Sequence, residues 1–210
     1  MPYRHPKKPL AAAALICLLL CVAGLSLSGC FGKKQPWHET DMRGVMPNLA
    51  FTMARAKDRK MVTAKDYLGK IVLVYFGYTS CADTCPATLN NIAQVIHKMG
   101  AAAKDVRVLF VTVDPRHDTF PVLEQYATLF AAPIDALRGT PDQLTKLTRR
   151  YRTSYSVTPA TKDHPSEVTH SSAVYIFDKT GAIRLLSTSL GSQHPDIKGT
   201  AADLIRLAGE

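Results

Sequence analysis

The residue types able to do chemistry are concentrated in Cys81-Ala82-Asp83-Thr84-Cys85-Pro86. Residues four apart on a helix are neighbours, with Cβ atoms ~5–6 Å apart, so two such thiols can chelate one metal ion. A disulfide needs Cβ atoms ~3.5–4.5 Å apart, which requires Cys81 to leave regular helix. A place in the preceding loop would allow both states. Two thiolates select soft cations, and a neutral imidazole completes a three-coordinate site. Zinc would ask for a fourth donor, and the sequence offers none near the pair. The same thiols could instead work by exchange, one attacking a target disulfide through a mixed disulfide. Exchange needs no histidine, although Cys-x2-Cys is the usual spacing for it.

The elements that must position this pair flank it directly. Ile71-Val72-Leu73-Val74-Tyr75-Phe76 is an uncharged apolar run and predicts a strand buried on both faces. Gly77 to Ser80 breaks it, and from Ala87 the residues Leu89, Ile92, Val95, Ile96 and Met99 recur at helical spacing. The cysteines therefore stand where a core strand hands over to a helix. Unpaired N–H groups and the positive end of the dipole there favour thiolate over thiol, and Asp83 reads as a first-turn acid. Val106 to Val113 predicts a second strand, so strand, helix and strand form a right-handed βαβ unit with parallel strands.

Further elements surround that unit. Leu49–Met53 and Met61–Thr63 predict an N-terminal hairpin. After the second strand, Asp118 or Thr119 reads as the cap of a helix from Phe120 to Phe130. Thr140-Pro141-Asp142-Gln143 is a capping box opening a helix to about Tyr151. Residues 152–169 are polar and read as an insertion. His170 then opens a third strand reaching Phe177. Asp178-Lys179-Thr180-Gly181 has hairpin-turn chemistry, leading into Ile183–Leu186, and a last helix covers Asp196 to Ala208. The expected fold is α/β: a thioredoxin-like mixed sheet with flanking helices, an N-terminal hairpin and an insertion before the histidine-bearing strand.

The first residues of the 210 are expected to lie outside that domain. Arg4, Lys7 and Lys8 precede an apolar run from Leu10 to Leu27, and Leu27-Ser28-Gly29-Cys30 closes it with small residues before a cysteine. This layout predicts a lipoprotein signal over 1–29, a lipidated tether over 30–44 that begins at Cys30, and one domain over 45–210. The competing reading is an uncleaved anchor, since about 18 apolar residues just span a bilayer. After cleavage Cys81 and Cys85 are the only thiols of the folded part, and one close pair is no disulfide framework. The formal charge of +9 is scattered, and no basic run of the domain, Arg149-Arg150 included, exceeds two residues. No basic stripe interleaves with aromatics, which argues against a nucleic-acid partner.

Six histidines follow the signal: His38, His97, His117, His164, His170 and His194. His170 is the candidate third donor because its strand should run beside the cysteine loop. On spacing alone a structural role is the commoner one for a lone histidine. His97 reads as a solvated helix residue, while His117 and His164 lie in loops able to approach the site.

Phe76-Gly77-Tyr78-Thr79-Ser80-Cys81 through Cys85-Pro86, then Val113-Asp114-Pro115, then His170-Ser171 ahead of Asp178-Lys179-Thr180-Gly181, together resemble the Sco/SenC family over roughly residues 41–209. Members are thioredoxin-fold copper-binding proteins implicated in building the binuclear copper site of cytochrome c oxidase. The resemblance implies Cys81, Cys85 and His170 as ligands of a copper ion. It also implies, as partner, the copper-bearing oxidase subunit or another copper protein, and a lipid-anchored place on the periplasmic face of the cytoplasmic membrane. A metallochaperone is the expected role, with a thiol–disulfide oxidoreductase acting on a target before metallation as the alternative. Two departures stand out: Ala82 replaces the proline usual after the first cysteine, and Phe120 separates Thr119 from Pro121. Neither removes a ligand-type residue.

Overall fold

The computed structural model describes residues 35–158 and 167–210. Strands β1 (Thr40–Asp41), β2 (Thr52–Arg55) and β3 (Met61–Thr63) precede the central strand β4 (Ile71–Gly77). Helix α1 (Thr84–Lys98), β5 (Val106–Thr112), α2 (Phe120–Thr128), β6 (Ile134–Arg138) and α3 (Pro141–Arg150) follow. The chain then forms β7 (Tyr155–Thr158), β8 (Glu167–His170), β9 (Val174–Phe177), β10 (Ile183–Ser187) and α4 (Ile197–Ala208).

Eight strands make one sheet in the order β1-β10-β9-β4-β5-β6-β2-β3. β4, β5 and β6 are parallel, and the remaining pairs are antiparallel. This is the expected mixed, thioredoxin-like sheet, with the βαβ unit β4-α1-β5 at its centre. Every residue of β4 is buried, and the side chains alternate between two cores. Ile71, Leu73 and Tyr75 pack under α1, α2 and α4 with Leu89, Ile92, Leu123 and Leu204. Val72, Val74 and Phe76 pack on the other face with Leu144, Leu147 and Tyr151 of α3 and its end. A two-residue period thus lets one strand serve both cores.

The N-terminal hairpin is present, but its first strand begins at Thr52 rather than Leu49. Strand β6 was not expected. It carries the buried Asp135, which receives the Tyr67 hydroxyl and pairs with Lys57 at 2.9 Å. The polar stretch read as tether up to Gly44 joins the fold from Trp37 onward. β1 pairs with β10, and the Asp203 carboxylate accepts the N–H groups of His38 and Glu39, each at 2.9 Å. Glu39 is buried, taking hydroxyls from Ser187, Ser189 and Thr200.

Residues 152–169 contain more order than a polar excursion. β7 and β8 form a separate two-stranded antiparallel sheet, with Tyr155 opposite His170. His170 therefore ends β8, whereas it was expected to open the strand to Phe177. That strand, β9, starts only at Val174.

The β9–β10 turn follows its sequence. Asp178 accepts the N–H groups of Thr180 at 2.9 Å and Ala182 at 3.1 Å and pairs with Arg184 at 3.2 Å, while Gly181 takes φ 79°. Burial opposes ionisation of Asp178, but the Thr180 and Ala182 donors and Arg184 outweigh it and hold the carboxyl below its ordinary 3.8. A carboxylate with a depressed folded pKa contributes stability above its unfolded pKa, and loses it as pH falls through the folded one. Below about pH 4, wild type should therefore lose stability more steeply with falling pH than Asp178→Asn. Urea unfolding at stepped pH checks this.

Candidate metal centre

The end of β4 and the start of α1 place both sulfurs. Cys81 lies in the loop ahead of α1, as a pair able to occupy two states requires, and Cys85 is in the first turn. The Cys81 N–H bonds the Tyr78 carbonyl at 3.3 Å. Its sulfur accepts the Cys85 N–H at 3.3 Å, so the helix N-terminus is aimed at Cys81. Asp83 stands at the N-cap, exposed and without a side-chain cap bond, rather than within the first turn.

The two thiols differ sharply. Cys81 is half-buried, whereas Cys85 is fully buried among Leu89, Phe110 and Tyr75. Burial pushes the Cys85 thiol up to about 12, only partly countered by a backbone hydrogen bond with Tyr78. Thiolate character expected from the dipole is thus overruled at Cys85 by desolvation.

His170 reaches the pair from the separate β7–β8 sheet. Its Nε2 is 3.1 Å from Cys85 Sγ, although 85 positions separate the two residues. Its Nδ1 lies 2.9 Å from the Ser171 carbonyl, which fixes the N–H there and leaves the Nε2 lone pair facing the sulfur. The Cys85 thiol donates into that lone pair. The rings of Tyr78 and Tyr75 meet the imidazole edge-on at centroid distances of 5.8 and 6.0 Å. Ligand atoms of Cys81, Cys85 and His170 all lie within 4.8 Å of one another, and no other such group occurs among the described residues.

The other histidines among the described residues stay apart from this cluster. His97 is exposed on α1, and His194 is exposed in the loop before α4. His38 faces Asp196 at 3.7 Å, and His117 pairs with Asp114 at 2.7 Å. His164 lies outside the described residues, as do Cys30 and residues 1–29.

Two supports of the site were not legible beforehand. Gly77 ends β4 against the buried sulfur: a Cβ there would stand 2.9 Å from Cys85 Sγ and 2.7 Å from Phe110 Cε2. Asp118 does not cap α2, whose N-cap is Thr119. Its buried carboxylate instead accepts the Thr79 N–H at 3.2 Å and the hydroxyls of Thr79 and Thr112, tying the cysteine loop to the end of β5. Burial raises the Asp118 pKa even though these donors favour the ionised form. Asp118→Ala should cost at least about 2 kcal/mol, because each buried donor left unmatched costs ~1–3 kcal/mol. Asp118→Asn, which keeps one acceptor, should lose less; urea unfolding distinguishes them.

Comparison with known proteins shows the family and the fold. The family model described as SCO1/SenC matches residues 47–205. The chain belongs to the SCO1/SenC family. The bovine mitochondrial SCO2 homolog is 36% identical over 118 residues, 55% of this chain and 44% of that protein. The human mitochondrial SCO1 homolog is 34% identical over 121 residues, 57% of this chain and 40% of that protein. The chain thus spans about half the length of the curated relatives it matches. Among solved SCO1/SenC relatives, copper-bound ScoI of Bradyrhizobium japonicum superposes with a TM-score of 0.65 at 32% identity, covering 76% of this chain and 98% of that one. Copper-bound ScoI of Arabidopsis thaliana gives 0.67 at 29% identity, covering 76% and 96%. Apo Sco1 of Thermus thermophilus gives 0.69 at 26% identity, covering 84% and 99%.

Proposed function

We propose that this SCO1/SenC protein is a copper metallochaperone, tethered outside the cytoplasm, that carries copper on Cys81, Cys85 and His170 for assembly of the copper site of cytochrome c oxidase. The observation carrying this is the convergence of two sulfurs and one imidazole nitrogen within 4.8 Å from separate elements. Sulfur and imidazole are the donors Cu(I) prefers, and three of them leave room for an incoming ligand. Copper entering the site displaces the protons of both thiols, including the one between Cys85 Sγ and His170 Nε2, and these leave to solvent as the two thiolates bind. The half-buried Cys81 is the donor an acceptor thiolate can reach first, so delivery proceeds by exchange of one ligand at a time. Residues 1–29 act as the signal, and Cys30 carries the lipid that holds the domain at the periplasmic face of the cytoplasmic membrane.

Reduced protein titrated anaerobically against a chromophoric Cu(I) chelator should take up one Cu(I) per chain. Cys81→Ser and Cys85→Ser should each abolish competition with the chelator. A wild type that takes up no copper ends this reading. Labelling cells with radioactive palmitate should mark wild type and leave Cys30→Ala unmarked.

The second reading, a thiol–disulfide oxidoreductase, is supported by the inequality of the thiols. An accessible Cys81 beside a buried Cys85 resembles an attacking and a resolving pair. It requires both cysteines and no imidazole, so the His170 variant treated below separates the two.

A further inference from the structure

A cavity of about 780 Å³ opens beside the β7–β8 sheet, between the loop after β5, helix α3 and strand β7. Val113 and Leu144 give it a buried apolar floor, and three consecutive residues of β7, Tyr155 to Val157, form one wall. Because consecutive residues border it, backbone as well as side chains faces the space. Among the described residues β7 pairs only with β8, so the outward N–H and C=O groups of Tyr155 to Val157 have no strand partner. Val157 is 39% exposed there, one of few large apolar side chains so placed.

The rim is basic. Arg116 and Arg149 line the cavity, both exposed, and neither makes an ion pair or side-chain hydrogen bond among the described residues. The contrast with the next residue is direct, since Arg150 bonds the Asn48 carbonyl at 2.9 Å and closes off its fork. The carboxylate in the cavity, Asp114, is already engaged by His117 at 2.7 Å. Two uncommitted guanidinium forks beside an unpaired strand edge suit an extended segment carrying carboxylates: main-chain bonds add a strand while each fork takes a carboxylate.

We infer that this cleft docks an extended acidic segment of the protein that receives the copper, added as a third strand alongside β7. The inference rests on the copper-carrier reading above and gives it an approach direction. Tyr155 of β7 lies directly opposite His170 of β8, so the docked segment sits one strand away from the imidazole donor.

The test uses the full chain in dodecylphosphocholine micelles, followed by NMR, with an acetylated nine-residue peptide of alternating Glu and Val as probe. The expected result is saturable shifts at the Tyr155–Val157 amides, with affinity falling as salt rises. The double variant R116E/R149E should bind at least tenfold more weakly while still taking up one Cu(I). No binding, equal binding by the variant, or equal binding of a peptide with Lys in place of Glu overturns the inference. So does movement of these resonances only when phosphatidylglycerol is added to the micelles, which would make the face a reader of lipid. Failure here with copper uptake intact leaves the carrier reading standing. A wild type that docks the peptide but takes up no copper removes the carrier reading and not the cleft.

Discussion

His170→Ala is expected to lower Cu(I) affinity at least about 100-fold, since removing only an outer partner of a metal ligand already costs ~10–100-fold. The loss should be specific. His170 is at the end of a small separate sheet, and its ring is held by the Ser171 carbonyl and by edge contacts with Tyr75 and Tyr78, so its truncation leaves the β4 and β5 cores intact. Circular dichroism and the urea midpoint should stay near wild type while competition with a Cu(I) chelator collapses. The comparison also separates the two functional readings. A copper carrier lacking this residue fails in oxidase assembly as badly as a cysteine variant. A reductase lacking it keeps assembling oxidase and keeps its rate of target disulfide reduction. Affinity within a few-fold of wild type would show that the imidazole is no donor.

Gly77→Ala should damage stability and site together. Its added methyl meets Cys85 Sγ and an edge of Phe110 at distances that side chains do not tolerate. Both neighbours are fully buried, so neither has space to retreat. Overpacking of this kind costs about 1–3 kcal/mol, which for a domain of this size lowers the melting temperature by about 3–10 °C. The part of the strain relieved by pushing the sulfur outward lengthens its approach to His170, so copper affinity should fall as well. An Ala variant that melts and binds copper like wild type would mean that the strand end shifts freely, and that Gly77 does not set the sulfur position.

Local signals reached the centre of this fold and stopped at its margins. The apolar run from Ile71, the helical spacing from Leu89 and the Asp178 turn each declare themselves within a few residues, because burial or turn chemistry is repeated locally. β6 does not: Ile134 to Arg138 is short and holds Asp135, whose burial is offset by Lys57 and Tyr67 far away in the chain. Glu39 likewise looked like tether because its partners, Ser187, Ser189 and Thr200, are about 150 positions distant. At the candidate site, residue types and spacing pointed to Cys81 and Cys85, and strand order together with the family likeness pointed to His170. What could not be read was the environment of each. The dipole at a helix start is a local property visible in sequence, but the burial that overrides it at Cys85 comes from strand and helix packing. The clamp from Asp118 to Thr79 spans 39 positions and has no local signature, so a capping role was the natural reading.

The two sulfurs belong to the central sheet and its first helix, whereas the imidazole belongs to a sheet of only two strands. If copper is held by all three, as proposed, it would act as a clasp that fastens a minor lobe to a major one. Amide hydrogen exchange in β7 and β8 should then slow on loading while the β4 and β5 amides, already at the protected extreme, stay unchanged. Removing the metal would release only the lobe that carries one donor, so unloading starts there and the dithiol half waits, intact, for the next ion.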